Sequence, residues 1–308
     1  KDLNVLDNYL FNELALQKDR AKSELFFRIL LETILQRKVR SLNVIPQYVT
    51  QGLDLHGHGI QMDAYVEAYF DDGHPADIIT AVRPDILDIE PNKYATESEE
   101  KRLRYYRALI DTKILSTGIR YQDLQNVTLI MISDYDPFGL DRMVYTLVTK
   151  CTEEPEMPYE DGVKTIFLYA NGTKDIPSKK LAQMLQYMVH STHANAVNED
   201  TKTIQNMIDE IKNDSEKGVR YMQSWEIRQI CYDEGVAQGI SQGISQGINQ
   251  GINQGLAQAL LELLSGMGTI PEFLEEKILQ EKDDKVLKSW IRLAGQCHDP
   301  EEFEHALL

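Results

Sequence analysis

Two acidic residues in this sequence stand where they could together hold a divalent cation. Asp63 lies in the segment GIQMDAYVEAYF, and Glu90 lies in DILDIEPNK. Both segments alternate apolar with polar or acidic residues, which is the period of a half-buried β-strand. If the two strands are neighbours, the carboxylates provide the hard oxygen ligands that Mg²⁺ prefers. A metal held in this way polarises a phosphodiester and lowers the pKa of an attacking water.

The residues after Glu90 decide how that water would be activated. A lysine two positions on would lie on the same strand face and could orient or deprotonate the water, but this position holds Asn92. An amide can hold a water by hydrogen bonds and brings no positive charge. Lys101 and Arg102, which begin the next predicted helix, could supply that charge. Acids on a strand face are commonly just solvated, so these residues alone leave both a metal site and a solvated face open.

The elements that must position these residues follow from the hydrophobic pattern. A helix is predicted over 9–36 and another over 97–115, where the first turn is acidic. Strands are predicted at 41–49, 60–70, 85–90, 127–133, 144–151 and 164–172. Pro46 indicates an edge or an irregularity in the first strand, and the continuous apolar run VTLIMIS predicts a strand buried on both faces. The order of helix, three strands, helix and strand predicts an α/β fold around a mixed sheet.

The last third of the chain is predicted to be helical and contains a four-residue repeat. In AQGISQGISQGINQGINQGLAQAL, at 237–260, a glycine recurs every fourth residue and is followed by Ile or Leu. Five interior glycines cost a helix about 5 kcal/mol relative to alanine, so such a helix needs a partner. The repeat is either a flexible tract or a helix that serves for self-association or as a spacer. Self-association would make the chain a homo-oligomer. We expect four parts: 1–192, a helical connector at 193–234, the repeat at 235–260 and a small helical segment at 261–308.

Composition limits the classes of partner and compartment. The chain has 32 basic and 49 acidic residues, a net charge of −17, with 20 acids against 10 bases in residues 195–308. Since phosphate binding comes mainly from Lys and Arg, any contact with DNA must be local. Three cysteines without a CxxC pair suit a reducing compartment. Without a long apolar run or a signal-like N-terminus, we expect a cytoplasmic protein that makes no membrane contact.

The segment from 39 to about 190 resembles a known family in the order and spacing of several stretches. These are HGIQMDAYVEA, DIEPNK, KRLRYYRALIDTKILSTGIRYQDL, VTLIMISDYDPFGLDRMVYTL, EEPEMPYEDGVKTIFLYANGT and LQYMVH. The family is that of the recombination-promoting nucleases, or PD-(D/E)XK nuclease family transposases, in which repetitive glycine-containing C-terminal helices are common. The resemblance implies an α/β, restriction-endonuclease-like αβββαβ core with a mixed sheet, followed by an all-helical C-terminal region. It also implies magnesium-dependent DNA cleavage, with Mn²⁺ as a substitute, in recombination, mobile-element biology or defence.

The resemblance assigns roles to individual residues. The family's two metal-binding acids fall on Asp63 and Glu90. Its third motif position, a lysine in the wider superfamily and often glutamine in this family, falls on Asn92, so the implied catalytic residues are Asp63, Glu90 and Asn92. A basic cluster suited to contacting DNA phosphates consists of Lys93, Lys101, Arg102, Arg104 and Arg107. The alternative for this cluster is a solvated helix face paired with Glu97, Glu99 and Glu100.

Two functions of different classes remain open on sequence grounds. One is a magnesium-dependent DNA endonuclease. The other is a catalytically weak or inactive nuclease-like fold that serves as an oligomerising or regulatory module. The asparagine at 92 and the net charge favour the second, and the two retained acids favour the first.

Three minor candidates complete the sequence analysis. His56 and His58 in HGHG have strand spacing and could bind zinc, although no third ligand is evident. The acids of SDYDPFG, at 134 and 136, are expected to form a turn rather than a site. Glu24 or Glu32 of the first helix could act as an acid behind the metal ligands.

Overall fold

The computed structural model describes residues 3–50, 60–71, 83–95, 98–115 and 120–307. The chain divides into two compact units, Lys1–Tyr221 and Met222–Leu308. Each unit has its own hydrophobic core.

The first unit is built on a six-stranded mixed sheet with helices, which confirms the predicted α/β class with a mixed sheet. The strands are β1 (Val39–Thr50), β2 (Ile60–Phe70), β3 (Asp85–Asn92), β4 (Val127–Ser133), β5 (Val144–Leu147) and β6 (Val163–Tyr169). Their order is β1-β2-β3-β4-β6-β5; the β3–β4 and β4–β6 pairs are parallel and the other three pairs are antiparallel. The helices are α1 (Asn8–Ala15), α2 (Arg20–Leu35), α3 (Glu99–Ile114), α4 (Lys179–Val189) and α5 (Glu199–Asn213).

The sheet separates two cores because successive side chains of a strand point to opposite faces. On β3, Leu87 and Ile89 face a core shared with α1, α2, α4 and α5, whereas Ile86 faces a core shared with α3. Strand β4 contributes Ile130 and Met131 to opposite cores, so it is buried on both faces as predicted. Asp88 and Glu90 of β3 lie on the face that α3 covers, and both are buried.

Several element boundaries differ from those expected, each for a local reason. The helix predicted over 9–36 is two helices, because Asp19 accepts a hydrogen bond from the backbone N–H of Ala21 and so starts α2 anew. Strand β3 continues beyond residue 90 through Pro91 to Asn92, because both pair with the parallel strand β4. Strand β5 ends at Leu147, where its pairing with β6 ends, and not at 151.

The first unit also extends beyond residue 192, where we expected it to end. Helix α5 buries Ile204, Ile208 and Ile211 in the core below the sheet. A capping box formed by Asn198 and Thr201 fixes its first turn. The predicted connector at 193–234 is therefore partly a core element of the sheet domain.

The C-terminal region is helical in all its described elements, as predicted. Helix α6 (Ser215–Ser265) carries the repeat and is followed by α7 (Glu272–Gln280), α8 (Asp284–Ala294) and α9 (Pro300–Leu307). Leu260, Leu264, Leu287 and Phe303 form the centre of the second unit's core. Among the described residues, no helix combines the length and the apolar character needed to cross a membrane.

Within the second unit, the branched residues of the repeat are exposed along α6. Ile240, Ile244, Ile248 and Ile252 are between 45% and 59% exposed. Apart from the neighbouring backbone of α6 itself, no heavy atom lies within 4 Å of a Cβ placed on Gly239 or Gly251, so the glycine ridge also faces open space. These isoleucines and glycines therefore form an exposed surface on the part of the repeat that precedes buried Ala257 and Leu260.

Candidate metal and DNA site

The site begins at an irregularity in strand β2. Pro46 pairs with Ala64 and Tyr48 pairs with Met62, while Gln47 between them has a φ of 49°, in the left-handed region. Met62 faces one core and Ala64 faces the other, so the regular alternation of β2 is interrupted between them. Asp63 lies at this interruption.

Strands β2 and β3 are antiparallel neighbours, and this places the two predicted metal acids side by side. Ala64 pairs with Ile89 in the last registered pair before the acids. The backbone N–H of Asp63 donates a 2.9 Å hydrogen bond to Oε1 of Glu90. The adjacency on which a two-strand metal site depends is therefore present.

A third carboxyl group, Asp88, lies on the same face of β3 as Glu90. Its side chain is fully buried, and neither oxygen accepts a hydrogen bond from the described residues. Its spacing of two from Glu90 was visible in the sequence, but burial of the whole strand was needed to distinguish it from a solvated acid. Asp88 is therefore a site residue that the sequence pattern alone did not indicate.

Burial raises the pKa values of all three acids. Desolvation raises the pKa of Asp63 to about 6, against a hydrogen bond from Asn12 and the charge of Arg102, which lower it. Desolvation and then the charge of Asp63 raise the pKa of Glu90 to about 7. Desolvation, with the charges of Glu90 and Asp63, raises the pKa of Asp88 well above its usual range.

Arg102, predicted as a DNA contact, faces the acids. Its positive charge lowers the pKa values of Asp63, Asp88 and Glu90, and its guanidinium lies 6.0 Å from the ring centre of Tyr106. The Nε atom of Arg102 is buried and has no hydrogen-bond acceptor among the described residues. Helix α3 therefore brings to the acids a positive charge that β3 lacks.

Asn92 is held in a hydrogen-bonded network beside the acids. Its amide nitrogen donates to Oε1 of Glu99 and to the hydroxyl of Tyr135, both at 2.8 Å. Tyr135 donates in turn to Glu99, which is buried at the start of α3. Both amide hydrogens of Asn92 are thus used within the protein, so only its carbonyl oxygen is left to orient a water.

The other predicted DNA contacts differ in their availability. Lys101 and Arg104 are exposed on α3. Arg107 is half-buried, and its charge lowers the pKa of neighbouring Asp111 against the effect of burial. Lys93 forms a 2.9 Å ion pair with Asp7. Lys101 and Arg104 are accordingly the members of the cluster best placed to meet a phosphate.

The donor chemistry of the site fits a hard divalent cation. Asp63 and Glu90 offer carboxylate oxygens, and the buried acceptors without a hydrogen-bond donor among the described residues include Oδ1 of Asn12 and both oxygens of Asp88. Across the described ranges, no three or more His, Cys, Asp or Glu side chains are grouped so that they could hold a metal together. Mg²⁺ commonly takes one or two carboxylates and keeps several waters. The residues therefore suit a two-carboxylate site completed by water.

The minor candidates take other roles. Asp136 accepts hydrogen bonds from the backbone N–H groups of Phe138 and Asp141, so it closes a turn, as expected. Glu24 pairs with Arg20, and Glu32 accepts hydrogen bonds from Lys38 and from the backbone N–H of Val39. The predicted helix acid behind the metal site is thus not supplied by either glutamate. The HGHG histidines and Glu97 lie outside the described residues.

Asn12 is the residue that the first helix does supply. It lies on α1, and its side-chain nitrogen is 3.5 Å from Oδ1 of Asp63, a long hydrogen bond. The sequence did not indicate Asn12, because residues 9–36 were predicted as one helix and a separate helix α1 that carries Asn12 was not expected.

Comparison of the chain with protein-family models, curated proteins and solved structures finds no significant match.

Proposed function

We propose that this protein is a metal-dependent deoxyribonuclease with a restriction-endonuclease-like core. The observation that carries the proposal is the hydrogen bond from the backbone N–H of Asp63 to the Glu90 carboxylate across two antiparallel strands, with the charges of Asp63 and Arg102 both acting on Glu90. An αβββαβ order and the motif resemblance support it. Helix α2, strands β1 to β3, helix α3 and strand β4 occur in that order.

Each part of the site has a task in phosphodiester hydrolysis. Asp63 and Glu90 would hold Mg²⁺, or Mn²⁺ in its place. The bound cation supplies Lewis acidity and a more acidic water. Arg102 would stabilise negative charge that develops on the phosphate, because a preformed positive group in a partly dry site acts strongly on such charge. Lys101 and Arg104 would contact the DNA backbone and set its position, whereas the Asn92 carbonyl would orient the water.

Cleavage of supercoiled plasmid tests this function. The wild type should nick DNA with Mg²⁺ or Mn²⁺ and not with EDTA, and Asp63→Ala and Glu90→Ala should each abolish nicking. Glu100→Gln is the matched control, because Glu100 is an exposed carboxylate on α3. A folded wild type that leaves the plasmid intact under all three conditions would refute the proposal.

The Asn92 network favours a second function, that of a nuclease-like module without chemistry. An amide whose two hydrogens are donated to Glu99 and Tyr135 supports the start of α3 and has little left for catalysis. Asn92→Lys and Asn92→Gln separate the two functions when the wild type is inactive. Activity gained by either variant means that the metal site is intact and that the residue at its third position, Asn92, is what prevents catalysis in the wild type. If all three proteins are inactive, the nuclease-like module without chemistry is the function that remains.

We further propose that the chain is a homo-oligomer that associates through the repeat of α6. Residues 235–261 contain no charged side chain, so this surface suits another uncharged surface and not DNA. The exposed isoleucines and the open glycines form adjacent i, i+4 ridges, and a ridge on one copy can enter the glycine groove of a second copy. Association would offset the helix penalty of the glycines, about 5 kcal/mol.

Sedimentation of a double variant tests the oligomer. Ile244→Lys together with Ile248→Lys places two charges on the exposed ridge and should yield a monomer. Both side chains are more than half exposed, so helix content should be unchanged by circular dichroism. An unchanged sedimentation coefficient in the double variant, or a monomeric wild type at micromolar concentration, would refute association through this ridge.

A further inference from the structure

Helix α1 touches the acid site along one side. Asn12 reaches Oδ1 of Asp63, and Asp7, which precedes the helix, pairs with Lys93 just beyond β3. The buried side chains of Leu10 and Leu14 fix the core-facing side of α1. A rotation or shift of α1 would therefore move Asn12 relative to the carboxylate that it contacts.

The other polar side of α1 is joined to the first turns of α6 by a buried ion pair. Oε2 of Glu13 lies 3.2 Å from Nζ of Lys217, and the two side chains are only 10% and 12% exposed. Arg220 approaches the second oxygen of Glu13 at 3.9 Å. The hydroxyl of Tyr9 donates to the backbone carbonyl of Lys217 at 2.6 Å. Tyr9 also packs on Tyr221, with ring centres 5.0 Å apart.

A buried ion pair of this kind has more effect on geometry than on stability. The desolvation of two charges roughly offsets their attraction, so replacing both by apolar groups is often nearly neutral. Losing one partner leaves an unpaired buried charge, which penalises any arrangement other than the paired one. The ion pair thus holds α1 in one position against the first turns of α6.

We propose that Glu13 is a positioning residue for the cation site, acting through α1 and Asn12. The inference rests on the proposed function, because it assigns Glu13 a part in holding the metal-binding carboxylate Asp63. Glu13 follows Asn12 directly, so any movement of one is shared by the other. Helix α6 runs without a break from Ser215 to Ser265, so the residues that clamp α1 belong to the same helix as the repeat.

Calorimetric titration of the full chain with Mn²⁺ tests the role of Glu13. The principal variant is Glu13→Gln combined with Lys217→Met, which removes both charges, preserves net charge and avoids a lone buried ion. Its affinity for Mn²⁺ should be about five-fold lower or weaker still, as expected for ordinary coupling between two sites. Lys217→Arg keeps the ion pair and should retain the wild-type affinity.

A second ion pair between elements of the same domain provides the matched control. Lys22 of α2 pairs with Glu210 of α5 at the surface, and neither residue belongs to α1 or α6. Lys22→Met should leave the Mn²⁺ affinity unchanged. A double variant that melts cooperatively and binds Mn²⁺ as the wild type does would overturn the role of Glu13 alone. A wild type that binds no Mn²⁺ would overturn the metal site itself, and with it the proposed function.

Discussion

The buried acids predict that the metal-free protein loses stability as the pH rises, and that Glu90→Gln prevents part of this loss. The pKa of Glu90 is raised by burial and by Asp63 to about 7, from an ordinary value of 4.5. Between these two values the folded state binds more protons than the unfolded state, so the free energy of unfolding falls as the pH increases. The stabilising proton is fully present below pH 4.5 and is lost as the pH passes 7.

The size of the effect follows from the shift. At about 1.4 kcal/mol per pKa unit, Glu90 would account for roughly 3 kcal/mol between pH 4.5 and pH 8. Its interaction with Asp63 and Asp88 divides this amount among the three groups, so a few kcal/mol in total is the expected scale. Glutamine removes the titration and can still accept the hydrogen bond from the N–H of Asp63. Glu90→Gln should therefore be the more stable protein at pH 8 in EDTA.

Urea unfolding in EDTA at half-unit steps from pH 4.5 to pH 8.5 provides the measurement. The difference in unfolding free energy between Glu90→Gln and the wild type should grow across pH 5 to 7 and then level off. Glu100→Gln should show no such growth, because its carboxylate is exposed. A difference that stays constant, or one that shrinks as the pH rises, would mean that Glu90 is not held as a buried acid.

Three further predictions concern the site. Mn²⁺ or Mg²⁺ must displace protons from Glu90 and Asp63, whose pKa values are about 7 and 6, so cation affinity should rise from pH 5.5 to pH 8. Titrations in buffers of different ionisation enthalpy should show proton release, and a pH-independent affinity would contradict these pKa shifts. Asn92→Ala removes the donor shared by Glu99 and Tyr135 and should lower the free energy of unfolding by about 1–3 kcal/mol in urea, whereas an unchanged midpoint would show that the network is dispensable. Lys101→Gln and Arg104→Gln should each reduce the slope of log K against log salt concentration for duplex DNA by about 0.9. Arg40 is an exposed arginine on β1, so Arg40→Gln should leave the slope unchanged, and equal slopes in all variants would exclude α3 from the DNA contact.

The elements of the sheet domain could be predicted because their signals are local. Strand β4 has its predicted ends, 127 and 133, because a continuous apolar run between polar residues leaves few other positions for it. Strands β2 and β3 follow one another in the chain, and consecutive strands are commonly neighbours in a sheet. These local signals were enough to bring Asp63 and Glu90 to adjacent strands.

The environment of the site could not be predicted, because it depends on partners that are distant in the chain. Asn92 donates to Tyr135, 43 residues away, and no pattern near residue 92 indicates that contact. The irregularity at Asp63 lies opposite Gln47 of β1, whose backbone is in the left-handed region. Burial of Asp88 depends on α3 covering that face of the sheet. In each case tertiary packing, and not the local sequence, determines what the side chain can do.

The irregular middle of β1 also has a consequence for solubility. Strand β1 is one edge of the sheet and spans 12 residues, and an exposed edge of that length is a template for pairing with another chain. Pro46 has no backbone N–H, and Gln47 turns the backbone out of the extended region. A second strand added along this edge would lose its register at these two residues. The same distortion that accompanies the position of Asp63 thus protects the domain against edge-to-edge aggregation.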